Sequence, residues 1–171
     1  MPDYAKIPRR LHVLRALTDH LRTITPAEGY QFDLSESVFR GRAHFGHDDP
    51  LPMVSLLQSP RNPEALPAPG HGTAQHGPLE LLVQGFAVDD PVHPTDPAEV
   101  LLADVKMALG RLKARIAQSR NLHWEGIERL EFDQGICRPP DDEIASVAFF
   151  WLSVQVYYTD NVKDPYAVPA A

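Results

Sequence analysis

The residues best suited to metal chemistry lie close together in one short segment. Two imidazoles, His44 and His47, stand three positions apart, and two carboxylates, Asp48 and Asp49, follow directly. Imidazole nitrogens and carboxylate oxygens bind Zn²⁺ and other divalent cations in proteins. A solvated polar turn ending at Pro50 explains the same residues without a metal. The sequence contains no second group of His, Asp or Glu residues with the spacing of metal ligands. We therefore expect neither a resident metal nor a cofactor.

Two arginines are candidates for contacting a partner. Arg40 and Arg42 flank a glycine in a segment that predicts a strand, and alternate residues of a strand share a face. Two guanidinium groups on one face can hold carboxylates or phosphates. An exposed edge strand kept soluble by its charge is the alternative. In an interface, the expected partners on a neighbouring copy are the carboxylates of Asp48, Asp49 and Asp90.

Nucleophilic catalysis has one candidate residue. Cys137 precedes Arg138, whose charge could lower a thiol pKa, and His123 lies upstream. A cysteine in the core or in a turn is the alternative. The sequence contains no nucleophile elbow and no glycine-rich phosphate loop. No catalytic residue is assigned, and we expect the chain not to be an enzyme.

Composition restricts the class of protein further. The chain has 171 residues, with 16 Lys and Arg against 23 Asp and Glu, a formal charge of −7. That balance argues against a dedicated nucleic-acid-binding domain. No apolar run is long enough to span a bilayer, and the N-terminus does not look like a signal peptide. One domain over residues 1–158 is expected, with a long flexible loop near 59–77 and a frayed tail over 159–171.

Periodicity predicts two helices separated by strands. Leucines at helical spacing mark a first helix over residues 8–24. A second helix begins at Asp96, with Pro97 at its first position and Glu99 completing a capping box, and its apolar stripe reaches Ile116. Predicted strands cover residues 30–34, 38–42, 51–57, 79–88, 127–132 and 146–158, with a turn over 135–142.

This order of elements predicts an α+β fold. Strands occur in runs and the helices are few and far apart, which favours a mainly antiparallel sheet with two main helices packed on one face. Long proline-rich connections between the elements are suited to contacts with other subunits.

The order of the motifs resembles the tail terminator (minor tail protein) family of long-tailed bacteriophages and prophages. The resemblance begins at the leucine-rich first helix and covers the chain from about residue 10 to about residue 158. It departs from shorter family members in the long loop over 59–77. The segments that carry it are Val38–Arg42, Phe45–Pro52, Leu81–Phe86, Asp89–Pro91, Pro94–Ala98, Leu101–Lys106, Arg138–Asp141 and Phe149–Leu152.

The resemblance implies a structural virion protein without catalytic residues. Such a protein assembles as a ring, expected to be a hexamer, on the finished tail tube, stops tube polymerisation and presents the surface that joins the head. The implied partners are further copies of the chain, the tail tube protein and a head-completion or connector protein, with no membrane partner. DNA passes through the ring and is not expected to be bound. The implied location is the host cytoplasm during assembly and then the virion tail.

Two other functions remain open. A head-to-tail joining or neck protein would share the ring architecture. A small metal-dependent hydrolase would use His44, His47, Asp48 and Asp49.

Overall fold

The computed structural model describes residues 5–59, 74–119, 124–141 and 143–166, and these residues form two α-helices and six β-strands. In chain order the elements are α1 (Arg9–Leu21), β1 (Val38–Arg40), β2 (Met53–Gln58), β3 (Ala74–Ala87), α2 (Asp96–Gln118), β4 (Arg129–Phe132), β5 (Ile136–Arg138) and β6 (Ala148–Asn161).

The strands form one mixed sheet. Its order is β1-β2-β3-β6-β4, and β5 pairs with a separate stretch of β6. Only the pairing of β1 with β2 is parallel among the strand pairs of the described residues. The longest pairing among the described strands joins β3 to β6 and runs from Ala74 opposite Asn161 to Ala87 opposite Ala148. The predicted α+β fold with a mainly antiparallel sheet is confirmed.

Both helices pack on the same face of this sheet. The buried stripes of α1 and α2 share one core with alternate residues of the strands, among them Val54, Val83 and Leu152. Because successive side chains of a strand point to opposite faces, these positions select the face that the helices cover. The expected placement of the two helices is therefore what the structure shows.

A smaller apolar cluster lies on the opposite face. Met53, Phe86 and Phe149 are buried there, and the ring of Phe45 stacks on Phe86 at 5.4 Å between centroids. Phe45 belongs to the connection between the parallel strands β1 and β2, which must cross back over the sheet. Among the described residues, a connection rather than a helix covers this end of the face.

The strand predicted over residues 30–34 does not form. A 3₁₀ turn over Pro26–Glu28 comes first, and the backbone N–H groups of Gln31 and Phe32 then donate to the carboxylate of Asp104, each at 2.9 Å. This buried carboxylate of α2 takes the place of a neighbouring strand. Tyr30 is buried nonetheless, so alternating burial arose here without a strand.

Two further predictions, of a loop and of a turn, differ from the structure. The strand β3 begins at Ala74, inside the loop predicted over 59–77, and residues 60–73 of that loop lie outside the described residues. The strand β5 forms within the turn predicted over 135–142, because Gly135 (φ +77°) turns the chain and lets β5 pair with β6.

The C-terminal segment is ordered past the predicted start of the tail. The strand β6 continues to Asn161, and the N–H of Arg9 donates to the carbonyl of Pro165 at 2.8 Å. Residues 167–171 lie outside the described residues. Neither described helix is both long enough and apolar enough to cross a membrane.

Candidate functional site

The two arginines predicted to share a face point in different directions. Gly41 has φ +76°, a left-handed conformation that ends β1 and breaks the alternation of side chains. Arg40 Nη1 donates to Thr18 Oγ1 of α1 at 2.9 Å. The guanidinium of Arg42 lies 3.7 Å from the ring centroid of Phe39, which packs on the opposite face. The prediction of a common face is therefore wrong.

Arg42 already has a carboxylate partner within its own chain. It forms an ion pair with Asp49, whose other oxygen accepts a hydrogen bond from the N–H of Gly46 at 2.8 Å. These bonds close the loop between β1 and β2. Two residues predicted to reach a neighbouring copy thus stabilise a connection, while Asp48 remains fully exposed.

The predicted metal ligands do not converge. The side chains of His47 and Asp48 are fully exposed, with His47 Nδ1 at 3.4 Å from Asp48 Oδ1, and His44 is exposed as well. Asp49 is directed towards Arg42. Within the described residues, no three His, Cys, Asp or Glu side chains form a group that could hold a metal ion. The loop serves as a polar connection with one internal ion pair.

Asp90 shapes the loop between β3 and α2. Its Oδ1 accepts hydrogen bonds from the N–H groups of His93, at 2.7 Å, and Val92, at 2.8 Å, and these bonds lower the pKa of Asp90. We call residues 88–95 the acidic loop. Its two valines are exposed, Val88 by 63% and Val92 by 75%. The loop therefore presents apolar side chains beside carboxylates in a conformation fixed by Asp90.

The environment of Cys137 disfavours a thiolate. Burial, and after it the nearby carboxylate of Glu99, raise the pKa of the Cys137 thiol to about 12. The expected lowering by Arg138 is therefore contradicted, and His123 lies outside the described residues. Because a thiolate is the reactive form, this position suits a packing role.

The predicted capping box of Asp96 and Glu99 at the start of α2 does not form. Thr95 is the N-cap residue of α2, and no side chain hydrogen-bonds the backbone there. The carboxylate of Glu99 instead lies within hydrogen-bonding distance of the thiol of Cys137.

A groove that the sequence did not reveal lies between α1, the C-terminal end of α2 and the turn Trp124–Ile127. We call it the α1–α2 groove, and its volume is about 480 Å³. Glu125 and Gly126 both have positive φ, and Trp124 and Ile127 exchange backbone hydrogen bonds of 2.8 and 2.9 Å. This tight turn holds the Trp124 ring against the groove. The charged and aromatic side chains that line it include Arg15, Asp19, His20, Arg115, Trp124 and Glu125.

Hydrogen bonds fix the two histidines of this groove. His20 Nε2 donates to the carbonyl of Ala108 at 2.9 Å, and His12 Nε2 lies 2.9 Å from Glu125 Oε2. Burial, together with the charge of Arg115, lowers the pKa of His20. The imidazole of His20 is therefore neutral at pH 7, and its ring packs edge-on against Trp124.

Two arginines line the groove together with the carboxylates of Asp19 and Glu125. Among the ion pairs of the described residues, none includes Arg15 or Arg115. The Arg115 guanidinium lies 5.6 Å from the centroid of the Trp124 ring. Arg15 lies near Arg40 and, after burial, contributes to lowering the pKa of that guanidinium. The groove thus combines an aromatic wall with two guanidinium groups.

Charge is unevenly distributed over the molecule. The segment 88–99 contains four carboxylates and neither Lys nor Arg. The two helices beyond that segment carry mostly cations, namely Arg9, Arg10, Arg15, Lys106, Arg111, Lys113 and Arg115. Asp96 begins α2 and Arg115 stands near its end, so at about 1.5 Å per residue the two are separated by about 28 Å. The acidic loop therefore lies at the start of α2, and the α1–α2 groove lies near its end.

A scan of protein-family models and a search of curated proteins find no match to this sequence.

Proposed function

We propose that this chain is a structural virion protein that caps the finished tail tube of a long-tailed phage as a ring, expected to be a hexamer. In this role it stops tube polymerisation and presents the surface that joins the head. Its partners are further copies of itself, the tail tube protein and a head-completion or connector protein. It acts in the host cytoplasm during assembly and then in the virion tail, and it leaves the passing DNA unbound.

The observation that carries the proposal is the separation of charge along α2. A ring subunit needs two different, complementary surfaces, because its contacts are head-to-tail. The acidic loop and the α1–α2 groove are such a pair, because the loop presents carboxylates and the groove contains the guanidinium groups of Arg15 and Arg115, about 28 Å away along the helix. The ordered motifs that resemble tail terminators support the same function.

The environments of the residues considered for catalysis or metal binding also favour a role in assembly over a role in catalysis. Asp49 pairs with Arg42, Asp90 closes a turn, and the thiol of Cys137 has its pKa raised. Each of these side chains has a structural role in the described residues. Arg15, Arg115 and Asp89, by contrast, take part in no ion pair of the described residues.

Electron microscopy of tails tests the proposal. Tails made from a phage genome that encodes this chain are compared with tails from the same genome lacking its gene. We expect tubes of uniform length with added density at one end when the protein is present, and overlong tubes when it is absent. Re-expression of the chain from a plasmid should restore the length.

Two outcomes would favour the other functions. Tubes of normal length that fail to join heads would indicate a neck protein. Hydrolytic activity that depends on added metal and is lost in His44→Ala and His47→Ala would indicate the hydrolase.

A further inference from the structure

We propose that the acidic loop of one copy docks into the α1–α2 groove of the next copy. The inference rests on the proposed function, since it names the two surfaces by which neighbouring subunits of the ring would meet. Val92 is the apolar side chain that enters the groove, and Asp89 is the carboxylate that faces its cations.

The groove provides complementary chemistry for such a loop. Arg15 and Arg115 have no carboxylate partner among the described residues, and Trp124 and Ala16 supply apolar surface between them. Aromatic and arginine side chains contribute most of the binding energy in many protein interfaces. A ligand that presents a carboxylate next to a small apolar side chain would satisfy both features.

The acidic loop presents that combination. Val92 is 75% exposed and lies three positions from Asp89, which takes part in no ion pair of the described residues. The two hydrogen bonds to Asp90 hold the turn in one conformation. Because the loop is ordered before it binds, docking costs little conformational entropy.

The distance between the surfaces makes the contact intermolecular. Asp96 at the start of α2 and Arg115 in the groove are separated by about 28 Å, so the acidic loop cannot reach the groove of its own chain. A contact between two different patches of identical subunits is heterologous, and it propagates into a ring when the rotation closes.

A second copy fits the groove better than nucleic acid does. Asp19 is paired with Arg22 at 3.5 Å, and Glu125 with His12 at 2.9 Å, so the groove offers a ligand the two remaining cations, Arg15 and Arg115. Two cations neutralise few of the phosphates along a nucleic-acid backbone. The apolar wall of Trp124 also has no counterpart on a phosphate, whereas it matches an exposed valine.

Site-directed cross-linking tests the contact. Cys137 is the only cysteine, and its raised pKa makes it a weak nucleophile. One preparation carries Val92→Cys and another carries Ala16→Cys, and the mixture is treated with a short bismaleimide, both in concentrated solution and on assembled tails. We expect a cross-linked dimer from the mixture and none from either preparation alone.

A matched control places the second cysteine on an exposed position away from the groove. Val92→Cys mixed with Glu36→Cys should yield no dimer, because Glu36 lies outside the groove. An equal yield with Glu36→Cys would contradict the proposed docking. So would the lack of a Val92–Ala16 product in solution and on tails alike.

Charge reversal tests the electrostatic part of the contact. Arg15→Glu and Asp89→Lys should each weaken self-association, measured by sedimentation, by at least about tenfold, because each sets two like charges against one another. The double variant restores an opposite pair and should recover most of the loss, while Lys163→Glu should have no effect. Failure of the double variant to recover association would overturn the pairing.

Two further outcomes separate this inference from its alternatives. Binding of duplex DNA at low salt that is lost in Arg15→Glu, with self-association unaffected by Asp89→Lys, would make the groove a phosphate site and refute docking. A Val92–Ala16 cross-link in a protein whose deletion leaves tail length unchanged would uphold the docking and refute the capping function.

Discussion

The two faces of the sheet are closed in different ways. On one face α1 and α2 complete a continuous apolar core around residues such as Leu17, Leu109 and Phe150. On the other face, connections rather than helices cover a small aromatic cluster in the part of the chain that the structure describes. Three neighbouring side-chain atoms there, Ser55 Oγ, Gln84 Oε1 and Trp151 Nε1, are buried without a hydrogen-bond partner among the described residues.

This difference shows where the chain derives its stability. A buried polar group without a partner costs free energy, whereas the buried polar side chains on the helix side, Thr18 and Asp104, are hydrogen-bonded. We therefore expect substitutions on the helix side to have the larger effects on unfolding, and the opposite face to tolerate change.

The largest effect should come from Gly85→Ala. A Cβ at this position would lie 2.0 Å from Cε1 of Phe150, a ring that is completely buried beneath the helices. We expect the free energy of unfolding to fall by about 3 kcal/mol, as overpacking of a core does. Urea denaturation followed by circular dichroism measures this value.

Gly110→Ala is the matched control. A Cβ there meets no atom within 4 Å, and the residue lies inside α2. It should raise the free energy of unfolding by about 0.5–1 kcal/mol, since alanine favours a helix interior over glycine. A Gly85→Ala variant as stable as the native chain would mean that the core can shift away from the added methyl group.

The next largest effect should come from Asp104→Ala. Two backbone N–H groups, those of Gln31 and Phe32, would lose the acceptor that holds their segment against α2. We expect a loss of about 2 kcal/mol in the same denaturation measurement. Asp33→Ala removes an exposed turn carboxylate and should cost much less. Equal losses for the two variants would show that Asp104 is not a special anchor.

Asp104 also shows why part of the fold could not be predicted from sequence. The alternation of Tyr30, Phe32 and Leu34 is the pattern of a strand, but the acceptor for the backbone lies 73 positions away from Gln31. Local patterns contain no information on such a distant partner. The stripes of both helices were predictable because a period of 3.6 residues is a local property.

The residues of the candidate site were likewise predictable only in part. Asp90 was predictable as a turn residue from its neighbouring prolines, but the positive φ of Gly41, which separates Arg40 from Arg42, has no sign in a strand-like pattern. The α1–α2 groove joins residues from α1, the end of α2 and Trp124. Only tertiary packing brings them together, and the dipeptide Glu125-Gly126 is the single local signal of the turn that does so.

Gln84→Leu should stabilise the protein slightly. The amide oxygen of Gln84 is buried without a partner among the described residues, and leucine has a similar volume without that polar atom. We expect a gain of about 1 kcal/mol in the free energy of unfolding. Gln155→Leu, which removes the acceptor of the Tyr157 hydroxyl, should give no gain. A destabilised Gln84→Leu variant would indicate that a water or a partner satisfies this amide.

Arg42→Ala should have a smaller effect. Its ion pair with Asp49 and its contact with the Phe39 ring lie at a partly exposed position. We expect a loss of about 0.5 kcal/mol that shrinks in high salt, because exposed ion pairs are screened. A loss as large as that of Asp104→Ala would show that the opposite face is as important for stability as the helix side.

The smallest effect should be a pH dependence from His20. Its pKa is lowered in the folded chain by burial and by Arg115, while the ordinary value of 6.5 applies after unfolding. The unfolded chain therefore binds more protons between these two values, and the free energy of unfolding falls as the pH drops below about 6.5.

His20→Gln, which can still donate to the carbonyl of Ala108, should flatten the dependence between about pH 7.5 and 5.5. An unchanged slope in His20→Gln would place the titrating group elsewhere.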